Sequence, residues 1–193
     1  MTEVRPAPHG TEGAHRARLA PATRADVGRL VWAFAGLAGR KTGTEPPAIF
    51  LTLGRTRGLF WGWLHFAGRL MPGGTLPRRE SELVILRVAT LADSAYERAH
   101  HRRLGRAAGL SHDEIDRVEL GADAPGWSTR DALLLRVTDE LHRDRDLCDE
   151  TWAELRAELD ERSAIELLLL IGHYEMLATT LHTLRLTPDR PRR

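Results

Sequence analysis

The run Leu83-Val84-Ile85-Leu86-Arg87-Val88-Ala89 carries a single charge and would turn an apolar surface to nearly every side of a helix. Such a segment is stable only where neighbours cover several faces at once, so it predicts a central helix with others packed around it. A second unbroken run, Leu167-Leu168-Leu169-Leu170-Ile171, makes the same demand near the C-terminus, within one chain or at a subunit interface. The period-two alternation of half-buried strands is absent. Together these features predict an all-α fold: one multi-helix domain over residues 22–187. At 193 residues the chain is long enough to bury well over half of its unfolded surface.

Start and stop signals place the other helices. Thr23 is a candidate N-cap for a helix through Val27, Leu30, Val31, Phe34 and Leu37 that stops between Gly39 and Gly43. Pro46 and Pro47 precede a short helix from Ala48 to about Leu53. An aromatic-rich helix follows from about Thr56 to Leu70 and ends at Met71-Pro72-Gly73-Gly74. Pro77 opens the central helix in its first turn, where a missing N–H leaves no gap. Ala92-Asp93-Ser94 reads as a joint before a helix from Ala95 to Ala108, closed by Gly109. Ser111 with Glu114 forms a capping-box pattern, and Ser128 with Asp131 starts another helix. Two more span about Glu150–Leu159 and Ala164–Leu184. The first 21 residues, rich in Pro, Gly, His and Arg, are expected to be a disordered tail, and residues 188–193 a short C-terminal one.

Composition narrows the function classes. The 28 basic and 27 acidic residues nearly cancel and are interspersed, so no nucleic-acid surface is expected. The single cysteine, Cys148, excludes an intramolecular disulfide or thiolate metal cluster and suits a reducing cytoplasm. No stretch approaches the roughly 18 uninterrupted apolar residues of a membrane span, and the N-terminus lacks the apolar core of a secretory signal. A cytoplasmic chain without membrane contact is the expectation.

One constellation suggests chemistry. Ser94, Glu97 and His101 stand at i, i+3 and i+7, on a helical stripe that continues into Leu104, Gly105 and Ala108. A polar trio on a stripe that turns apolar should face a pocket or an interface. Glu82 shares its stripe with Ile85, Leu86 and Ala89, and would approach Glu97 and His101 if the two helices pack across the Asp93 joint. Two carboxylates near one imidazole in a poorly solvated site drive their pKa values apart, as general acid–base catalysis requires. In the plainer alternative, Glu82 complements a helix N-terminus and Glu97–His101 is an i,i+4 pair.

His100 and Tyr174 are lesser candidates for the pocket, with a core role and satisfied hydroxyl as the alternative for the tyrosine. His65, His173 and His182 lack metal-type spacing, and no metal is expected. Phe60, Trp61, Trp63 and Phe66 read as core or oligomer interface, with an apolar pocket wall as the alternative. Arg102, Arg103 and Arg106 read as a solvated face.

The segment Arg79–Ala89, followed by Ala95–His101 and Ala107–Ser111, resembles the core motif of carboxymuconolactone decarboxylase-like (alkylhydroperoxidase D-like) proteins. Gly58-Leu59-Phe60, Trp63, Phe66-Ala67, Glu166-Leu167 and Gly172-His173-Tyr174-Glu175-Met176 extend the resemblance over about residues 45–185. It implies a compact helical fold that assembles as a homo-oligomer, a dimer, trimer or hexamer. In the alkylhydroperoxidase D branch the redox site is a glutamate, eleven residues, then Cys-x-x-Cys-x-x-x-His. Here the glutamate falls on Glu82, the histidine on His101, and the two cysteine positions on Ser94 and Glu97.

Dithiol peroxide reduction needs a thiolate and a resolving thiol, so that activity is not expected. The decarboxylase branch implies a cofactor-independent lyase or isomerase acting on a small organic acid or lactone. In that reading Glu97 orients His101, His101 shuttles the proton, and Glu82 is a second acid–base group. The competing readings are a non-catalytic oligomeric ligand-binding or assembly protein and, last, hydroperoxide reduction with another protein's thiols.

Overall fold

The segment with apolar residues on all sides does sit at the centre. In the computed structural model, which describes residues 17–192, α4 (Arg78–Leu91) is buried without a break from Ser81 to Ala89. Around it pack α5 (Ala95–Ala107), α7 (Thr129–Asp144) and α9 (Glu161–Leu184). The charge inside the run is satisfied: Arg87 Nε donates to Asp139 Oδ1 at 2.5 Å and Nη1 donates to the Val118 carbonyl at 2.8 Å. Such pairing is what makes a buried guanidinium tolerable. An N-terminal group, α1 (Arg24–Thr42), α2 (Ala48–Leu53) and α3 (Gly58–Leu70), adds a smaller aromatic core around Val27, Val31 and Phe60. The short α6 (His112–Arg117) and α8 (Asp149–Glu158) close the other side. No strand occurs among the described residues; one isolated bridge pairs Thr44 with Pro191.

Side-chain caps mark the starts of four helices, α1, α6, α7 and α9. Thr23 with Asp26 and Ser111 with Glu114 form reciprocal capping boxes, and Ser128 accepts from the Asp131 N–H. Three ends differ from the sequence expectation. α9 begins at Glu161, because Asp160 caps it by accepting from the Ser163 N–H at 2.7 Å; its polar first turn hides it from an apolar pattern. Gly54–Thr56 forms a separate 3-10 turn, and α3 starts only after Arg57 (φ 54°). Within α1, Gly28 adopts φ 78° and breaks the first turn from the rest, a conformation glycine adopts without a Cβ penalty.

The described parts of the two terminal segments make contacts with the helical domain. Residues 1–16 of the expected N-terminal tail lie outside the described residues. Beyond them the Arg18 N–H donates to the Leu184 carbonyl, and the Ala20 carbonyl accepts from Arg55. The C-terminal segment is bound to the domain rather than trailing from it. The Glu45 N–H donates to the Arg190 carbonyl, the Arg192 N–H to the Gly43 carbonyl, and Asp189 accepts from the Ala48 N–H and the Tyr96 hydroxyl. No local pattern announces such contacts, since the partners lie more than 90 residues away in sequence.

By length and composition α9, with 24 residues, could cross a membrane, but half of its most apolar window is buried in this fold. Leu167, Leu170, Ile171, Leu177 and Leu181 enter the core, while Ile165, Leu169 and Met176 are exposed on an opposite stripe. Together with Leu59 and Phe66 of α3, residues of this stripe border an apolar groove.

Candidate active site

The Ala92–Ser94 joint folds α5 back against α4, with Asp93 at φ 48° and its carboxylate 2.8 Å from Arg98 Nη2. That turn brings Glu82 and His101, nineteen positions apart, into contact. Glu82 is fully buried, and its Oε2 lies 2.7 Å from His101 Nδ1. Its other oxygen is 2.6 Å from Arg78 Nη2, one helical turn earlier, an ion pair without hydrogen-bond alignment. A carboxylate removed from water is unfavourable unless paired, and here it has a partner on each side. With Glu82 ionised, Nδ1 of His101 carries the proton and Nε2 the lone pair. Nε2 has no hydrogen-bond partner among the described residues, yet it is not occluded.

The structure departs from the pairing expected from spacing: Glu82, not Glu97, contacts His101. Glu97 is 2% exposed, and neither of its carboxyl oxygens has a hydrogen-bond partner. Burial pushes its pKa up to about 7; the Ser94 hydroxyl lowers it and the Glu175 charge raises it further. Ser94, also buried, lies close enough to act on Glu97, but its Oγ reaches no hydrogen-bonding geometry. The i,i+4 surface pair is excluded, because both Glu97 and His101 are buried and unbonded to each other.

Glu97 and His101 line a cavity of about 210 Å³ together with His100, Tyr174, Trp63 and Tyr96. Tyr174 sets its ring edge-to-face with His101 at 5.1 Å, and burial, reinforced by the Glu82 and Glu97 charges, holds its phenol above the ordinary range. Tyr174 belongs to the main hydrophobic core and also lines the cavity, so it takes both of the places weighed for it. Burial pushes the His100 pKa down to about 3.

Sequence reasoning missed two wall residues. His173, weighed only as an isolated histidine, stacks on Trp63 at 6.1 Å, and burial lowers its pKa to about 4. Tyr96 donates to Asp189 Oδ2 at 2.8 Å and accepts from the Ile49 N–H at 3.3 Å, which holds α2 against the cavity. The adjacency of His173 to Tyr174 was the available signal for the first; none existed for the second.

Among the described residues, Trp63 Nε1, both Glu97 oxygens and His173 Nδ1, on residues that line this cavity, are buried without a hydrogen-bond partner; so are Ser94 Oγ, Arg136 Nε and Glu82 Oε1, the last ion-paired with Arg78. Folded interiors satisfy nearly all such groups, and three wall residues of this cavity depart from that rule. Other candidates disperse. His65 and His182 are exposed, and no cluster of three His, Cys, Asp or Glu among the described residues has metal-holding geometry. Arg102 pairs with Asp116, Arg106 donates to the Leu110 carbonyl, and Arg103 lies beside His100. Cys148 is exposed at the start of α8 and lines no cavity with His101.

The carboxymuconolactone decarboxylase family model matches residues 57–140, a span from α3 into α7. Three solved structures share the fold. An uncharacterised peroxidase-related protein with an alkylhydroperoxidase AhpD core, from Ralstonia eutropha, is 17% identical with a TM-score of 0.79 over 91% of this chain and 94% of its own. An uncharacterised peroxidase-related protein from Silicibacter is 13% identical, TM-score 0.78, over 91% and 95%. An Agrobacterium tumefaciens protein of unknown function, described as a candidate antioxidant-defence AhpD, is 18% identical, TM-score 0.63, over 68% and 90%. At such identities the likeness is one of fold. No curated protein matches the chain. The stretch matched by the carboxymuconolactone decarboxylase family model includes Glu82, Glu97 and His101.

Proposed function

We propose that the protein is a cofactor-independent acid–base enzyme that isomerises or decarboxylates a small organic acid or lactone. The observation that carries this reading is the 2.7 Å contact between His101 Nδ1 and the buried Glu82, which leaves Nε2 free toward a cavity shared with Glu97. Ionised Glu82 fixes the imidazole and stabilises the positive charge it gains as a base. Glu97 retains its proton near neutral pH, so one group is ready to accept a proton while the other holds one.

In isomerisation, His101 Nε2 takes a proton from carbon beside a carbonyl. The C–H electrons form an enolate whose oxygen Glu97 hydrogen-bonds, and the imidazolium returns the same proton at another carbon. In decarboxylation, the pair of the breaking C–C bond stays on the substrate as an enolate, which Glu97 then protonates. Neither route needs a thiol, in keeping with Ser94 and Glu97 at the positions where the alkylhydroperoxidase D branch carries cysteines.

The test is turnover of a panel of small lactones and keto acids by wild type, His101→Gln and Glu97→Gln. Each substitution is expected to lower kcat by about 10²- to 10⁴-fold with circular dichroism unchanged. Undiminished turnover in either variant removes that residue from the mechanism, and an inert wild type favours the non-catalytic ligand-binding reading.

The apolar stripe supports a second proposal. Leu59, Leu169 and Met176 are respectively 71%, 45% and 51% exposed around the groove between α3 and α9. A contiguous face of that kind fits a subunit interface between copies of the chain. Sedimentation velocity should place wild type above the 21.6 kDa monomer and Leu169→Asp/Met176→Asp at it; a monomeric wild type sinks the idea.

A further inference from the structure

Among the described residues, the walls of the 210 Å³ cavity contain no lysine or arginine. Behind the wall, Arg78 is engaged with Glu82 at 2.6 Å, and Arg103 lies 3.2 Å from His100 Nδ1. The carboxylates behind it are Glu82, against His101, and Glu175, whose charge reaches Glu97 although it is paired with His142 and Arg145. Aromatic and aliphatic groups, among them Phe50, Trp63 and Leu104, supply most of the remaining wall.

We propose that this cavity binds an uncharged, single-ring carbonyl compound, a lactone or cyclic ketone, and rejects the corresponding carboxylate. The inference rests on the acid–base reading above and narrows it to isomerisation, because loss of CO2 starts from a carboxylate. A carboxylate entering here would lose water with no cation among the described wall residues to meet it, and an unpaired buried charge is strongly unfavourable. His100 and His173 do not supply that cation, since burial keeps their pKa values near 3 and 4. The elevated pKa of Glu97 reports the same aversion to negative charge. Size sets the second limit. An apolar cavity of about 150 Å³ takes benzene, so 210 Å³ suits one six-membered ring with a small substituent and not a fused bicycle. A carbonyl oxygen is the complementary polar atom, because protonated Glu97 offers a donor.

The isosteric pair benzamide and benzoate tests this at pH 6, where Glu97 keeps its proton and benzoate is ionised, with 2-naphthamide as the size control. Binding is read from the NMR signals of the His101 imidazole and the Trp63 indole. Benzamide is expected to saturate both signals with at least tenfold higher affinity than benzoate, while 2-naphthamide leaves them unmoved. Leu104→Arg, which places a guanidinium on the wall, is expected to reverse the preference. Benzoate binding wild type as tightly as benzamide, 2-naphthamide binding, or the absence of any response to benzamide overturns the proposal. The wild-type comparison decides it even where the variant fails to fold. Because the titration reads occupancy, a chain that prefers benzamide but turns over no lactone sinks the catalytic reading and leaves this one standing. Turnover of keto acids with tight benzoate binding does the reverse.

Discussion

Glu97→Gln should change stability in a pH-dependent way whose sign is fixed by the site. In the unfolded chain the carboxyl ionises near its usual 4.5, whereas in the fold burial holds the proton to about 7. Well below pH 4.5 both states are protonated and the group contributes nothing to the difference. As pH rises from 4.5 towards 7 the unfolded chain releases its proton while the native chain keeps it, so the native state loses ground. Above pH 7 the loss is complete. The interval between 4.5 and about 7 converts at 1.36 kcal/mol per pH unit to about 3 kcal/mol.

Glutamine keeps the shape but cannot ionise. It is expected to recover about 3 kcal/mol at pH 8.5 and less than about 1 kcal/mol at pH 5. Any cost of the unpartnered amide is common to both conditions, which leaves a difference of roughly 2 kcal/mol. Urea unfolding followed by circular dichroism at the two pH values measures it. In thermal melts the variant's advantage at pH 8.5 over that at pH 5 should be about 5–10 °C for a chain of this size. Equal changes at the two pH values would refute the argument, because the carboxyl would then titrate alike in native and unfolded chains.

Three further outcomes follow from particular contacts. Arg78→Met leaves buried Glu82 with His101 as its one partner and should destabilise by about 3 kcal/mol in urea titrations; a cost below about 0.5 kcal/mol would show that the guanidinium does not compensate the carboxylate. Gly54→Ala puts a Cβ 2.5 Å from Val31 Cγ1 and should cost about 1–3 kcal/mol. By contrast Gly36→Ala meets no atom within 4 Å in the middle of α1 and should be neutral or stabilising by up to about 1 kcal/mol; the two are compared by midpoint of denaturation, and equal effects would contradict the packing. Asp189→Ala removes the acceptor of the Ala48 N–H and the Tyr96 hydroxyl. Hydrogen exchange of Ala48 and Ile49 should then quicken, at a stability cost of about 1 kcal/mol; unchanged exchange would show that the C-terminal segment does not hold α2.

The sequence by itself determined most of the helical elements. Apolar runs such as Leu83–Ala89 leave a helix no stable place but the centre, and caps such as Ser111/Glu114 act over three or four residues, so both are readable locally. The stripe of Ser94, Glu97 and His101 is likewise a property of helical period alone. Only the tertiary structure decided which carboxylate contacts His101. Spacing favours Glu97 as the partner of His101, but the turn at Asp93 aims the imidazole across the helix interface onto Glu82 and leaves Glu97 unpaired. The same holds for Tyr96 with Asp189 and for His173 on Trp63, whose partners are distant in the chain. Helical period fixes the direction of a side chain around its own axis; which neighbour it meets, and how much water remains there, depends on how separate helices pack, and those two quantities set pairing and pKa.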